Sequence, residues 1–358
     1  MNIQSIQINI DLFTINKEES NAIKGLLIFL IVLGHNSIFT NFIPGSFHYL
    51  YSFHVACFFI LPFFYPLKIL TKDRILNYAA RMYCPYILLF LLFLILFTFL
   101  EKNGISLKSN INSFENKNLF DFFFTLINGG IYHIQKYIGF QYLWFLPVMF
   151  SFAIIKEYFY YLNPRNKFLL LFLGMIFFII FYVFMYSSPY SHHYNVCLEI
   201  FSLFSIFQAL GFIFLGFITR KIISFNFKYY IEIVFISYLV LSLLFWNNPT
   251  VYMQWIVRCF MPTIIFSLLY SIKNKLAKIK FLCNIGSLSL PIYLVQTPIS
   301  FIFCKFYQFF FQRYNIILVF TSQLLIFSSS YILGLLFFNL SYIRRFFFPR
   351  TYKDLLFK

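Results

Sequence analysis

Charge is what this chain has least of, and acidic charge above all. Only 11 of its 358 residues are Asp or Glu, and charged residues together make up 11%. A soluble domain averages about 25% charged residues and could not hide so much apolar surface. With 61% of the chain hydrophobic, a water-soluble globular protein is excluded and an integral membrane protein is expected. Cysteine is equally uninformative as a scaffold. The six cysteines, at 57, 84, 197, 259, 283 and 304, fall mostly inside apolar runs and form no Cys-x-x-Cys pair. Neither a disulfide framework nor a metal site is expected from them. No repeat, coiled-coil heptad or appended soluble segment is visible, so a single domain is expected. Residues 1–20 are polar and contain Asp11, Glu18 and Glu19, so the first apolar run reads as a retained anchor rather than a cleavable signal.

The net charge of +17 invites a nucleic-acid reading, but its distribution argues otherwise. The basic residues lie in short clusters between apolar runs, as topology signals do. Runs long enough to span a bilayer need about 17 to 25 apolar residues. Ten can be drawn, at 23–40, 47–67, 83–100, 143–161, 168–186, 196–218, 229–246, 251–272, 283–304 and 315–338. Alternate connections (68–82, 156–167, 219–228, 273–280 and the tail) are rich in Lys and Arg. The opposite loops 41–46, 187–195 and 247–250 have none, and 305–314 has only Lys305 and Arg313. The expected fold is therefore an all-α polytopic bundle of about ten transmembrane helices with both termini cytoplasmic. It divides into a cytoplasmic segment 1–22, a transmembrane domain 23–340 with a long, Asn-rich outer loop 101–142, and a basic cytoplasmic tail 341–358.

Against this apolar background, residues 24–65 hold three histidines, His35, His48 and His54. An imidazole in hydrocarbon needs a partner or a wet cavity, so three in one helical pair suggest a site, with a histidine hydrogen-bonded for helix packing as the alternative reading. Lys24 and His35 are separated by ten residues. On one helix that places them about 20° out of register and about 16 Å apart along the axis. One side chain then lies at the membrane edge and the other near mid-depth, on the same face. That suits a long ligand with an anionic end at the surface and a reactive end inside, the shape of a coenzyme A thioester. Arg258 and Glu199 lie at similar depth on separate expected spans, which makes a buried ion pair or a substrate contact the two readings of each. Arg74 and Arg81 flank the second cytoplasmic turn, where topology alone would also place them. His133, His192 and His193 fall in expected outer loops.

Asn21-Ala-Ile-Lys24-Gly25, Val32-Leu-Gly34-His35 and Phe53-His54-Val-Ala-Cys-Phe58-Phe59 together resemble the opening signature of the acyltransferase-3 membrane proteins, nearest to the sugar and fucose O-acetylases. Lys24-x10-His35 is similar to that family's Arg/Lys-x10-His motif. Leu143-Trp144-Phe145-Leu146-Pro147 and Ile285-Gly286-Ser287-Leu288-Ser289-Leu290-Pro291 resemble two later blocks, so the likeness runs from about Lys24 to Ile299. It implies a membrane O-acyltransferase carrying an acyl group, acetyl in the first instance, from acyl-CoA to a hydroxyl of a cell-surface glycan or lipid-linked sugar. It also implies His35 and His54 as catalytic residues, with Lys24, Arg74 and Arg81 on the acyl-CoA side. Arg258, Glu199 and Trp144 are the substrate-binding candidates. No permanently bound cofactor, metal or nucleic acid is implied, and the setting is a bacterial inner membrane. The chain departs from the family at Asn21 (usually Asp), Pro62-Phe63 (Ser-Gly) and Gln296 (His), and Tyr78 stands where an arginine is expected. The rival readings are a glycan flippase or transporter and a lipid-linked glycan polymerase. The absence of acids in loop 41–46 counts against the polymerase. The scarcity of intramembrane acids, with Glu199 nearly alone, counts against the transporter.

Overall fold

The structure, a computed structural model, describes residues 13–66, 69–102, 119–128, 142–180, 205–225, 229–247, 250–310 and 315–355. Among these residues there is no strand, and the architecture is all-helical. Seven of the described helices are long and apolar enough to cross a membrane: Ser46–Phe64, Lys72–Leu96, Ser205–Ser224, Tyr230–Asn247, Val251–Ser271, Ser289–Tyr307 and Ile316–Asn339. Each overlaps one of the ten expected spans. The other three expected spans are not among these seven. Helix α1 (Lys17–His35) carries Lys17, Glu18, Glu19 and Lys24, and ends before Asn36. The helices at 143–161 and 168–186 are described as only 15 and 14 regular residues, and residues 181–186 lie outside the described set.

The first helices are punctuated by their own side chains. Asn16 and Glu19 close a capping box at the start of α1, each side chain accepting from the other's backbone N–H at 2.9 and 2.8 Å. Asn36 ends that helix and starts α2 (Ser37–Phe42) by accepting from the N–H groups of Ile38 and Phe39. Gly45, at φ 87°, turns the chain into α3 (Ser46–Tyr51). Helix α4 (His54–Ile60) then runs into a 3-10 turn, Leu61–Phe64. The second expected span is thus two short helices broken at Ser52-Phe53, with His48 and His54 on opposite sides of the break.

The chain forms two compact units. Among described residues the first comprises 13–66 and 214–339, and the second 69–180, 205–213 and 340–355. In the first unit α1 is the centre. It packs against α3, α4, α13 (Lys273–Ala277), α14 (Lys280–Ser287), α15 (Ser289–Phe310) and α16 (Ile316–Asn339). The tightest approach is to α14. A Cβ on Gly25 would collide with the Leu282 carbonyl, and one on Gly286 with the Asn21 carbonyl. Two glycines from the first and last resembling blocks therefore let the backbones touch, as small residues do between membrane helices.

The polar end of α1 is fastened by Lys273, whose ammonium lies 2.9 Å from Glu19 Oε1, a carboxylate otherwise buried. We expect Lys273→Met to lower stability by about 2 kcal/mol, because it strands a buried acceptor. The check is the unfolding temperature in detergent. The Pro62-Phe63 departure also has a partner in this unit. The Phe63 ring fills the space that a side chain at Gly216 would need, and Arg220, one turn further along α10 (Ser205–Ser224), donates to the Phe63 carbonyl.

In the second unit α5 (Lys72–Tyr78) passes through a π-turn, Ala79–Tyr83, into α6 (Cys84–Lys102). Pro85 causes the turn. It has no N–H for the carbonyl of Arg81, and the ladder widens just before it, with Cys84 N–H reaching Ala79. Residues 119–128 of the long connection form α7 (Leu119–Asn128), which lies along the first turns of α6: Tyr86 donates to the Thr125 carbonyl at 2.6 Å and Phe90 packs on Phe122. Helix α8 (Phe145–Phe159) follows a 3-10 turn at Tyr142–Trp144 and packs against the π-turn. It brings in a buried acid that sequence patterning does not single out. Glu157 accepts from the Tyr78 hydroxyl and lies 3.8 Å from Arg74. Buried acids are therefore less scarce than expected, since Glu19 and Glu157 are both among them. That weakens the composition argument against a transporter.

Candidate active site

The spacing of Lys24 and His35 is realised on one unbroken helix, with Lys24 half-buried towards the polar end and His35 as the last residue. Lys24 Nζ donates to Asn21 Oδ1 at 3.1 Å, so the residue standing in the usual Asp position still holds the lysine, through a neutral amide.

The two candidate imidazoles adopt the same arrangement. His35 Nδ1 lies 2.9 Å from the Ile31 carbonyl, and His54 Nδ1 binds the Leu50 carbonyl, each one turn back along its own chain. A carbonyl only accepts, so both Nδ1 atoms carry the proton and both Nε2 atoms present a lone pair. His35 Nε2 accepts from the Tyr51 hydroxyl at 2.7 Å. His54 Nε2 is buried and has no hydrogen-bond partner among the described residues. Tyr51 stands between them, its ring 5.6 Å from that of His35 and 4.6 Å from that of His54, centroid to centroid. Phe47 stacks on the other side of Tyr51 at 4.2 Å. Gly34 makes room for this cluster, since a Cβ there would press on the Tyr51 ring and approach the His54 ring.

Arg258, on α12 (Val251–Ser271), is fully buried and lies near enough to act electrostatically on both His48 and His54. Pro262 within that helix lacks the N–H that would satisfy the Arg258 carbonyl. Behind His35, Ser300 of α15 donates to the His35 carbonyl at 2.6 Å. Asn36 donates to Ser322 Oγ at 3.0 Å and to Gln323 Oε1 at 3.2 Å on α16. The end of α1 is thereby fixed from two sides. Gln296, one turn before Ser300, is fully buried; its amide donates to Thr297 and its Oε1 has no partner among the described residues.

His35, His54 and Arg258 are thus brought together within the first unit, with Lys24 at the far end of the same helix as His35. Arg74, Arg81 and Trp144 belong to the second unit. There Arg74 turns to Glu157, Arg81 is exposed in the π-turn, and Trp144 is buried at the start of α8. Tyr78, in place of the expected arginine, shares Glu157 with Arg74, so the two act on one acid from successive turns. Glu199 lies outside the described residues, so its pairing with Arg258 stays an expectation. No group of three or more His, Cys, Asp or Glu side chains able to hold a metal occurs among the described residues.

Tyr51, Ser300 and the capping role of Asn36 carry no signal in the sequence. Tyr51 is one of 27 tyrosines and has no distinguishing spacing. We expect Tyr51→Phe to keep the ring stack and lose the hydrogen bond to His35. With the hydroxyl gone, the turnover number should fall by roughly fivefold with KM unchanged, as one hydrogen bond of about 1 kcal/mol missing from the transition state implies. Steady-state kinetics check this.

A protein-family model described as an acyltransferase domain matches residues 17–342, nearly the whole chain. No curated protein and no solved structure matches it.

Proposed function

From the premise that the chain belongs to the acyltransferase-3 family of multi-pass membrane proteins, we propose that it is an O-acetyltransferase that modifies a cell-surface glycan. Acetyl-CoA is the donor. The acceptor is a hydroxyl of a sugar in O-antigen, capsule or exopolysaccharide, presented on a lipid-linked precursor or at the outer face. The membrane is the bacterial cytoplasmic membrane, with both termini inside, as the Lys/Arg asymmetry of the loops implies.

His35 is the general base. The acceptor hydroxyl takes the place of Tyr51 at His35 Nε2, and its oxygen attacks the thioester carbonyl carbon. Its proton passes to His35, the C–S bond breaks, and the departing thiolate takes that proton. The products are the sugar ester and free coenzyme A. His54 orients the reacting groups across the Tyr51 ring; its Nε2 carries only a lone pair, so the donor that polarises the carbonyl is the displaced Tyr51 hydroxyl. Lys24 engages the donor at the inner end of α1, with Arg74 and Arg81 on the same side of the membrane. Arg258, Glu199 and Trp144 serve the acceptor. An acyl-histidine relay would use the same two Nε2 atoms.

The observation that carries this reading is the shared placement of both Nδ1 atoms on backbone carbonyls. Two imidazoles flank one tyrosine, each with its Nε2 lone pair turned away from the backbone. The test is to supply radiolabelled acetyl-CoA to membranes containing the protein and to locate the label. Recovery as alkali-labile ester on glycan is the expected result. Label confined to lipid that carries no sugar, or released as free acetate, would reject the glycan acceptor.

A further inference from the structure

The C-terminal segment contains a cavity to which the steps proposed above assign no role. Helix α17 (Ser341–Phe347) ends with Arg344 and Arg345 in its last turn, Phe348 is buried beneath them, and a 3-10 turn follows at Tyr352–Leu355. Arg344, Arg345, Phe348, Arg350 and Asp354 line a cavity of about 230 Å³. Asp354 is the one carboxylate of this lining, and its Oδ2 accepts from the N–H groups of Arg350 at 2.7 Å and Thr351 at 3.1 Å. The Thr351 contact, with help from Arg350, holds this carboxyl below the usual carboxylate range, so it stays charged while capping the turn. None of the three guanidinium groups forms an ion pair among the described residues. Three guanidinium groups thus share one space with a single carboxylate, and the net positive charge left there favours an anion.

The cavity is also anchored. Tyr352 donates its N–H to Asn77 Oδ1 at 2.9 Å and its hydroxyl to Asp73 Oδ1 at 3.3 Å. Both acceptors are on α5, the helix that carries Arg74, and the 3-10 turn packs on the π-turn that carries Arg81. A topology signal needs only positive charge, and lysine would serve. Here instead three arginines converge on one space held to a neighbouring helix, and the guanidinium fork matches the oxygens of a phosphate group.

We propose that this cavity binds a phosphate ester. Two sources share that chemistry: the phosphate groups of coenzyme A, a source that rests on the acyl-CoA donor proposed for the transfer site, and the headgroup of an anionic lipid, which does not. The volume accommodates the phosphate part of either, with the remainder of the ligand outside.

The test uses the full-length protein in nanodiscs. In one arm the discs are phosphatidylcholine, and adenosine 3′,5′-bisphosphate and inorganic pyrophosphate are titrated by calorimetry. In the other arm phosphatidylglycerol is added to the discs, and lipid retained on the protein is measured by native mass spectrometry. Wild-type protein should bind in at least one arm, and which arm identifies the source. Arg344→Gln with Arg350→Gln should weaken that binding by roughly tenfold or more, through loss of charge-assisted bidentate contacts. Arg344→Lys with Arg350→Lys, which keeps the topology charges, should fall between the two; if the glutamine variant does not fold, this lysine variant alone decides. Absence of wild-type binding in both arms, or wild-type binding by the folded variants, would overturn the proposal. Phosphate binding without any acetyl transfer would leave this site standing and remove the acyl-CoA reading.

Discussion

His35→Ala should abolish acyl transfer while leaving the fold intact. The loss in turnover should be roughly 100- to 10,000-fold, the range that a positioned general base contributes. KM for acetyl-CoA should change little, because the contacts proposed for the donor, Lys24 and the inner end of α1, lie away from the His35 ring. Removing the ring strips one hydrogen bond from Tyr51 and one from the Ile31 carbonyl. It does not touch the Ser300 contact, which uses the His35 backbone carbonyl. The Asn36 contacts to α16 also stay in place, so α1 keeps both of its neighbours. A collapse in activity with an unchanged unfolding temperature is therefore the expected pattern. Equal losses of both would mark His35 as a packing residue. His54→Ala is the companion measurement. Its Nε2 gives up no partner among the described residues, but the substitution also removes the Nδ1 contact to the Leu50 carbonyl and the ring packed on Tyr51. An activity loss there therefore reports contact with a reacting group only where the unfolding temperature is unchanged.

The second large effect concerns the fold itself. Gly286→Val should destabilise the first unit by about 3 kcal/mol or more, the upper end of overpacking costs. The new Cβ would meet the backbone carbonyl of Asn21 and the backbone N–H of Gly25, and neither can turn aside as a side chain can. Separating α14 from α1 would also displace Asn21, which holds Lys24. Gly334→Ala is the natural control. Its Cβ would come no closer than 3.2 Å to Ile292 and Pro291, so only a slight shift is required. Thermal unfolding in detergent should show a large fall for the first variant and a small one for the second.

These two sites also mark how far the sequence can be read. The Lys24–His35 relation is legible because it depends only on helical period and on an uninterrupted helix, and α1 is uninterrupted from Lys17 to His35. The chain beyond His35 is harder to read. Asn36 looks like a residue inside an apolar run, yet its side chain caps α2 and ends α1, so the first expected span stops short. Ser52-Phe53 breaks the second run without glycine or proline to announce it, and the break sets Tyr51 between the two imidazoles. Gly25 and Gly286 both stand in family-like motifs, but their mutual contact depends on the pairing of helices distant in the chain. Glu157 sits beside Lys156 at the end of an expected span, where charge reads as the membrane edge. Burial with Tyr78 and Arg74 comes only from the packing of α8 on α5.

The most direct test of the central claim is to ask what the acyl end of the donor touches. Tyr51→Cys places a thiol between His35 and His54, and chloroacetyl-CoA carries an electrophilic carbon at the acyl end. Attack by the thiolate forms a C–S bond and releases chloride, and peptide mass mapping locates the adduct. We expect alkylation at position 51, suppressed by excess acetyl-CoA and absent from the wild-type peptide. No adduct at that position, with acetyl-CoA-protected labelling found elsewhere in the chain, would contradict the assignment of this cluster as the place where acyl transfer occurs.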